Sequence, residues 1–349
     1  MSNIAWLLVS LGVILVGAEV FVNGVEWLGK KLDLSEGAVG SVLAAVGTAL
    51  PETLIPIIAI VFAGDAAGHE IGIGAILGAP LMLSTLAMFV TGIAVVAFQR
   101  RRAHRTKVVA DYTTMSRDLL FFVVVYAVAV VTGLIPPPYR SLQLMIAALL
   151  VIAYFWYVLV LVREERDIDD DSEMPKCYFA PRKENPPLLR ILLQVLVALG
   201  LIIAGANLFV DSVSSIAVLY GVPAFVLALI ITPVATELPE KFNSIIWVFR
   251  EKDTLALGNI TGAMVFQSSL IPALGIALTD WQLTTGALLA ALIALVSAGV
   301  LCWELKTKKH ISAPMLILGG AFYMLFILRI LHNSVFLEVS AVNTSLNIH

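Results

Sequence analysis

The sequence has little charge and few cysteines, and it lacks the motifs of the common enzyme classes. Of its 349 residues 13% are charged and 60% are hydrophobic, whereas soluble domains carry roughly 25% charged residues. A chain so poor in charge needs surface that never faces water. The two cysteines offer neither a disulfide framework nor metal-ligand spacing. There is no H-E-x-x-H, no G-x-S-x-G and no phosphate-binding loop, so we predict no enzymatic activity.

Apolar runs long enough to cross a bilayer recur along the whole chain. A membrane-spanning helix needs ~20 mainly apolar residues. The first run lacks the basic region of a cleaved signal peptide, so we expect it to be the first span. We predict an all-α membrane protein with about ten transmembrane helices, near residues 4–28, 36–63, 70–98, 118–135, 141–162, 188–212, 222–249, 255–278, 283–303 and 312–331. Its partner is then the lipid bilayer; a net charge of −3 gives no sign of a nucleic-acid partner, and the oligomeric state stays open.

Lysine and arginine are divided unequally between alternate predicted loops. Nineteen of the 22 fall on one side of the membrane, Arg140 and Arg329 fall on the other, and Lys241 lies inside a span. The positive-inside rule makes the rich side cytoplasmic. Both termini are therefore predicted to be extracytoplasmic in a cell or inner membrane.

The longest charged segment, 163–187, lies in the middle of the chain. Its aspartates at 167 and 169–171 allow a regulatory Ca²⁺ loop as one interpretation. The segment lacks the spaced oxygens and the glycine of an EF-hand, which favours a solvated cytoplasmic linker. We predict a first repeat over 1–162, this linker, a second repeat over 188–331 and an extracytoplasmic tail over 332–349.

Three blocks of sequence occur twice, in the same order. Residues 16–23 resemble 204–211, VGTALPE at 46–52 resembles VATELPE at 234–240, and GAILGA at 74–79 resembles GNITGA at 258–263. Each repeat holds five predicted spans, and an odd number inverts the second repeat in the membrane. Inverted repeats are typical of secondary transporters, whose substrate sites lie near the midplane between discontinuous helices.

The repeated LPE motif combines a helix break with an acidic side chain. A proline leaves a carbonyl without its helical hydrogen bond, and such a carbonyl is tolerated in a membrane where it lines a polar cavity. A charge at the centre of a bilayer costs ~2.5–3.5 kcal/mol or more, so two glutamates at equivalent positions indicate function. Candidate ligands are the oxygens that Ca²⁺ or Na⁺ prefers: those of Glu52, Glu240, Thr48, Thr236, Glu237 and Gln267.

These motifs resemble the Ca²⁺/cation antiporter superfamily, which includes the sodium/calcium exchangers. That family carries G-T-S-L-P-E and G-N-x-x-G-S-N-x-x-N/D in each repeat, matched here by GTALPE, GAILGAPLML, ATELPE and GNITGAMVFQ. The resemblance implies that Glu52 and Glu240 are the central cation ligands, with Thr48 and Thr236 beside them. It also implies an antiporter of a cation, with Ca²⁺ as the predicted substrate, exchanged for Na⁺ or H⁺ and with no organic cofactor.

Several ligand positions of the family pattern have lost their oxygens. Ala79, Ala263 and Leu83 stand where the pattern has serine or an Asn/Asp residue, and Pro80 replaces an asparagine. Glu237 adds a third carboxylate, which favours proton binding somewhere in the cycle. Sodium and proton coupling both remain open. The alternative function is a degenerate transporter fold that acts as a membrane sensor or scaffold without exchanging ions.

Overall fold

The structure is a computed structural model, and it describes residues 2–31, 50–63, 66–164, 176–183 and 185–346. These residues are almost entirely helical. The α-helices are α1 (Ser2–Lys31), α2 (Leu50–Ile58), α3 (Ala66–Met82), α4 (Met88–Phe98), α5 (Tyr112–Thr132), α6 (Arg140–Glu164), α7 (Leu188–Tyr220), α8 (Ala224–Thr236), α9 (Leu238–Phe249), α10 (Asp253–Leu278), α11 (Thr285–Lys308) and α12 (Ala313–Leu346). π-helical turns at Ala59–Ala63 and Leu83–Ala87 follow α2 and join α3 to α4, and a 3₁₀ turn at Pro137–Tyr139 precedes α6. Two short strands, β1 (Lys107–Val108) and β2 (Ile311–Ser312), pair antiparallel.

The all-α membrane class predicted from the sequence is confirmed. Eight helical stretches in the described part of the chain are long and apolar enough to cross a membrane, and one of them, Ala66–Phe98, combines α3 and α4. Two predicted spans contain shorter helices instead: 36–63 includes α2, and 222–249 is divided into α8 and α9. The count of ten therefore stays a prediction, and so do the repeat boundaries. The helix α12 runs from the last predicted span into the predicted tail without a break at residue 332.

Helices α1 and α7 cross at two glycines that occupy equivalent places in the repeated blocks. A Cβ atom at Gly17 would lie 3.2 Å from the carbonyl oxygen of Ala198 and 2.9 Å from the side chain of Ile202. A Cβ at Gly205 would lie 3.2 Å from the carbonyl oxygen of Ser10 and 2.8 Å from the side chain of Ile14. Each contact is thus the counterpart of the other, with the roles of the two helices exchanged.

Close backbone packing also joins α3 to α8. A Cβ at Gly74 would lie 2.5 Å from the carbonyl oxygen of Phe225, and one at Gly78 would lie 2.2 Å from that of Leu229. Small residues at these positions allow two helix backbones to touch, as in other membrane helix pairs. The contact places the third repeated block of the first half directly against the helix that precedes the second LPE motif.

The predicted linker is not wholly solvated. Its segment 176–183 docks on α1 and α7, where the amide of Gln194, a fully buried residue, makes four hydrogen bonds. Gln194 donates to the carbonyl of Val20 and to Asn23 Oδ1, both at 2.9 Å, and it accepts from the Phe179 N–H at 2.9 Å and from Cys177 Sγ at 3.2 Å. The aspartates at 167 and 169–171 lie outside the described residues, so the proposed Ca²⁺ loop stays untested.

Candidate cation site

The first LPE motif opens a short helix inside the bundle. Glu52 is the third residue of α2, and its side chain is buried at 7% exposure. Pro56 lies four residues further along the same helix, where it cannot donate to the carbonyl of Glu52. Helix α2 is fixed by apolar packing, since Ile55 and Ile58 lie in one buried cluster with Phe209 of α7. The carboxylate is therefore held at a helix start within an apolar environment.

The second LPE motif lies at a break between two helices. Helix α8 ends at Thr236, Glu237 stands between the helices, and α9 begins at Leu238. Leu50 and Leu238, which open α2 and α9, are equivalent residues of the repeat, so Glu240 takes the same third position in its helix as Glu52 does in α2. The break that the prolines predicted is thus present in the second half.

Glu237 faces a neighbouring helix across this break. Its side chain is 3% exposed, and its Oε1 accepts a hydrogen bond of 3.2 Å from Nε2 of Gln267, on α10. The other amide atom, Gln267 Oε1, is buried and accepts no hydrogen bond from the residues that the structure describes. Two residues predicted as ligands are therefore in contact, and the Glu237 side chain is buried against α10.

Hydroxyl groups line the end of α8. The hydroxyl of Thr236 is buried and donates to the carbonyl of Thr232 at 3.0 Å, which leaves lone pairs on its oxygen for a cation. Thr232 was not predicted as a site residue, yet its Oγ1 is buried and makes no hydrogen bond with the described part of the chain. Its position one helical turn before Thr236 is the sequence signal that would have identified it.

Some predicted site residues cannot be placed. Thr48 lies outside the described residues, and so does the side chain of Glu240. The convergence of Glu52 with Glu240 therefore stays a prediction. Among the described residues no group of three or more His, Cys, Asp or Glu side chains is arranged to hold a metal ion.

A buried acid away from the LPE motifs was not predicted from the sequence. Asp118 of α5 is 2% exposed and accepts hydrogen bonds from the hydroxyl of Tyr157, on α6, and from that of Thr261, on α10, the latter at 2.6 Å. An ionisable residue inside a membrane span is itself the signal that should have singled it out. The bonds connect α5 and α6 to the helix that carries Gln267.

The chain is similar over most of its length to a known protein family. The sequence profile of the sodium/calcium exchanger protein family matches residues 2–163 and 190–332. The chain belongs to this family. The resemblance seen in the LPE motifs is thereby confirmed, and the family is one of membrane transporters rather than enzymes.

Individual relatives are distant but cover most of the chain. The CaxA protein of Alkalimonas amylolytica, whose name marks it as a candidate antiporter, is 23% identical over 92% of this chain and 98% of its own. The uncharacterized membrane protein MJ0091 of Methanocaldococcus jannaschii is 22% identical over 75% of this chain and 78% of its own.

Two solved structures have a similar fold. A crystal structure of an H⁺/Ca²⁺ exchanger, CAX, has a TM-score of 0.72 at 18% identity and covers 99% of this chain and 87% of that one. The sodium-calcium exchanger NCX_Mj has a TM-score of 0.55 at 20% identity, with 93% of this chain and 97% of that one covered. Because both sequence identities are below 25%, these two matches show that the folds are similar and nothing more.

Proposed function

We propose that this protein is a secondary active antiporter that exchanges Ca²⁺ for a second cation by alternating access. Its ion site comprises Glu52 and Glu240 from the two LPE motifs, together with Glu237, Gln267 and the threonine oxygens beside them. The observation that carries the proposal is the Gln267 amide: it donates to the buried Glu237 while its own carbonyl oxygen is buried without a donor among the described residues. Carboxylate and amide carbonyl oxygens are the ligands that Ca²⁺ prefers.

The proposed architecture is a pair of inverted five-helix repeats within ten spans. The exchanged contacts of Gly17 and Gly205 support it, because a pseudo-twofold axis between repeats turns each contact into the other. The equivalent starts of α2 and α9 support it too, since both place a glutamate at the third helical position. Discontinuous helices of this kind bring polar backbone groups to the midplane only where they line a site.

Protons are the coupling ion that the residues favour. Ala79 and Leu83 are buried and carry no side-chain oxygen, so the first half offers a sodium ion few ligands in this stretch. A carboxylate, by contrast, binds a proton without further ligands. Glu237 supplies a third carboxylate beside those of Glu52 and Glu240. We therefore expect Ca²⁺ and protons to compete for the same acidic groups, and only occupied forms to change conformation.

Flux through proteoliposomes tests the function. Vesicles that contain the purified chain should take up Ca²⁺ when a pH gradient is imposed, and a sodium gradient alone should drive little uptake. Glu52→Gln and Glu240→Gln should each abolish uptake, because a neutral amide can neither balance Ca²⁺ nor release a proton. Glu70→Gln is the matched control, since Glu70 is exposed at the start of α3 and its loss should leave uptake unchanged.

The other outcomes have distinct meanings. Uptake driven by sodium alone would keep the antiporter and replace the coupling ion. No uptake under either gradient, from protein that elutes as a single folded species, would refute exchange and favour the sensor or scaffold function.

A further inference from the structure

Three connecting segments meet at one end of the bundle. The segment 99–111, the turn 250–254 and the stretch 304–312 are joined by β1–β2 pairing and by a hydrogen bond from the Ala103 N–H to Glu251 Oε2 at 3.1 Å. These segments come from both predicted halves of the chain. The end of the bundle is therefore one continuous surface rather than a set of separate loops.

A buried arginine holds this surface together. The side chain of Arg102 forms a salt bridge of 2.7 Å to Asp253 and donates to the carbonyl oxygens of Val248, Lys107 and Arg105 at 2.9, 3.2 and 3.2 Å. Asp253 also accepts from the Val109 N–H at 2.9 Å. A buried charge that is paired and hydrogen-bonded in this way imposes one geometry on the segments around it, so the outer side chains project from a built scaffold.

The exposed face of the scaffold is strongly basic. The three segments contain ten Lys and Arg residues against four Asp and Glu residues, and two of those four acids, Asp253 and Glu304, are buried in salt bridges. At the opposite end, residues 66–70, 132–143, 278–285 and 328–332 contain two basic and two acidic residues. We call the following exposed set the basic surface: Arg100, Arg101, Arg105, Lys107, Arg250, Lys252, Lys306 and Lys309.

The basic surface borders side chains that face hydrocarbon. Phe249, Ile246, Leu255 and Trp303 are exposed large apolar residues on the helices directly beneath it. Arg101 places its guanidinium over the Phe249 ring, 5.5 Å from the centroid, and Lys309 places its ammonium 3.7 Å from the centroid of the Tyr112 ring. The cations therefore lie at the depth where apolar surface gives way to polar surface, which is the depth of lipid phosphates.

We propose that the basic surface binds the headgroups of anionic phospholipids. The charge complements the lipid phosphate, and the adjacent apolar side chains accommodate the acyl chains, whereas a soluble anion would use only the first of these features. Lipid binding would tie together segments from both halves at this end of the bundle. The inference does not depend on which ions the protein exchanges.

Competition between two lipids tests the proposal on the full-length protein in detergent. Native mass spectrometry with equal amounts of phosphatidylglycerol and phosphatidylcholine should show preferential binding of phosphatidylglycerol. Arg101→Gln/Lys252→Gln should weaken that preference by about 25-fold, since one basic residue near an anionic surface contributes about fivefold. Arg140→Gln/Arg329→Gln removes two charges from the opposite end and should leave the preference intact.

Competition with inorganic phosphate distinguishes a bound lipid from a bound soluble anion. Inorganic phosphate should displace phosphatidylglycerol no better than chloride does at equal ionic strength; displacement by phosphate alone would overturn the proposal in favour of a soluble-anion site. Equal preference for the two lipids, or equal losses in the two double variants, would also overturn it. Both variants should elute from size exclusion as the wild type does, because all four side chains lie outside the buried core.

Discussion

Replacing Gly78 with alanine tests whether the backbone contact between α3 and α8 holds the second LPE motif in place. The added Cβ would lie 2.2 Å from the Leu229 carbonyl oxygen and 2.8 Å from Cγ of Pro233. Ordinary carbon–oxygen contacts are ~3.3 Å or longer, so the two helices must separate by ~1 Å. The nearest obstacles are a backbone carbonyl and a proline ring, and neither can move aside as a flexible side chain would.

The expected loss of stability follows from two opposing effects. Overpacking of a well-packed core costs ~1–3 kcal/mol, and the immobile neighbours place this case at the upper end. Alanine is favoured over glycine inside a helix by ~1 kcal/mol. We therefore expect Gly78→Ala to lower the free energy of unfolding by ~2 kcal/mol and to lower Ca²⁺ uptake, because α8 carries the break at Glu237.

Gly200→Ala is the matched control for this substitution. Gly200 lies inside α7, and a Cβ there meets nothing within 4 Å, so only the gain in helix propensity remains. Thermal unfolding of the full-length proteins in one detergent should show a lower midpoint for Gly78→Ala and an unchanged or higher midpoint for Gly200→Ala. Equal midpoints for the two variants would refute the close contact between α3 and α8.

Three further predictions concern the contacts that fix the connecting segments. Arg102→Gln should lower the free energy of unfolding by ~3–5 kcal/mol, because it leaves the buried Asp253 carboxylate without its cation; a chemical unfolding curve measures this loss. Gln194→Leu should release the segment 176–183 from α1 and α7 and speed its cleavage by trypsin. Asp111→Ala should cost ~1 kcal/mol at neutral pH, because the Asp111 carboxylate accepts from the N–H groups of the first turn of α5.

The loss of stability caused by Asp111→Ala should depend on pH, and the direction of that dependence can be derived. A hydrogen bond from the Thr114 hydroxyl holds the pKa of Asp111 below its usual range, so its stabilising effect is present above pH ~4 and is lost as the pH falls through the lower folded-state pKa. The difference between Asp111→Ala and the wild type should narrow in that acidic window, and a constant difference would contradict the ionised cap.

The predictions for Arg102→Gln and Gln194→Leu each have a matched control. Lys252→Gln removes an exposed basic residue next to Asp253 without leaving a buried carboxylate unpaired, and it should lower the free energy of unfolding far less than Arg102→Gln. Gln282→Leu changes an exposed glutamine elsewhere and should leave the trypsin pattern unchanged. An equal loss of stability for Arg102→Gln and Lys252→Gln, or slow cleavage of Gln194→Leu, would contradict the respective prediction.

The sequence by itself determined the class, the family and the place of the helix break. Long apolar runs leave few alternatives to membrane-spanning helices, because every backbone polar group must be satisfied inside the lipid. The proline of the second LPE motif predicted an interrupted helix, and the structure ends α8 at Thr236 and begins α9 at Leu238. Gly74 and Gly78, in the third repeated block, touch the backbone of α8, as small residues of membrane helices commonly do.

Only the tertiary structure decided which polar groups meet. Glu237 pairs with Gln267, thirty residues away along the chain, and Arg102 pairs with Asp253, 151 residues away. No local pattern encodes either contact, since each depends on how separate helices rotate and cross. The docking of 176–183 on Gln194 is the same kind of fact: the segment has the composition of a charged linker, yet buried amide groups of α1 and α7 pair with its backbone. Hydropathy fixes which helices enter the lipid; packing between them selects the partner of each buried polar side chain.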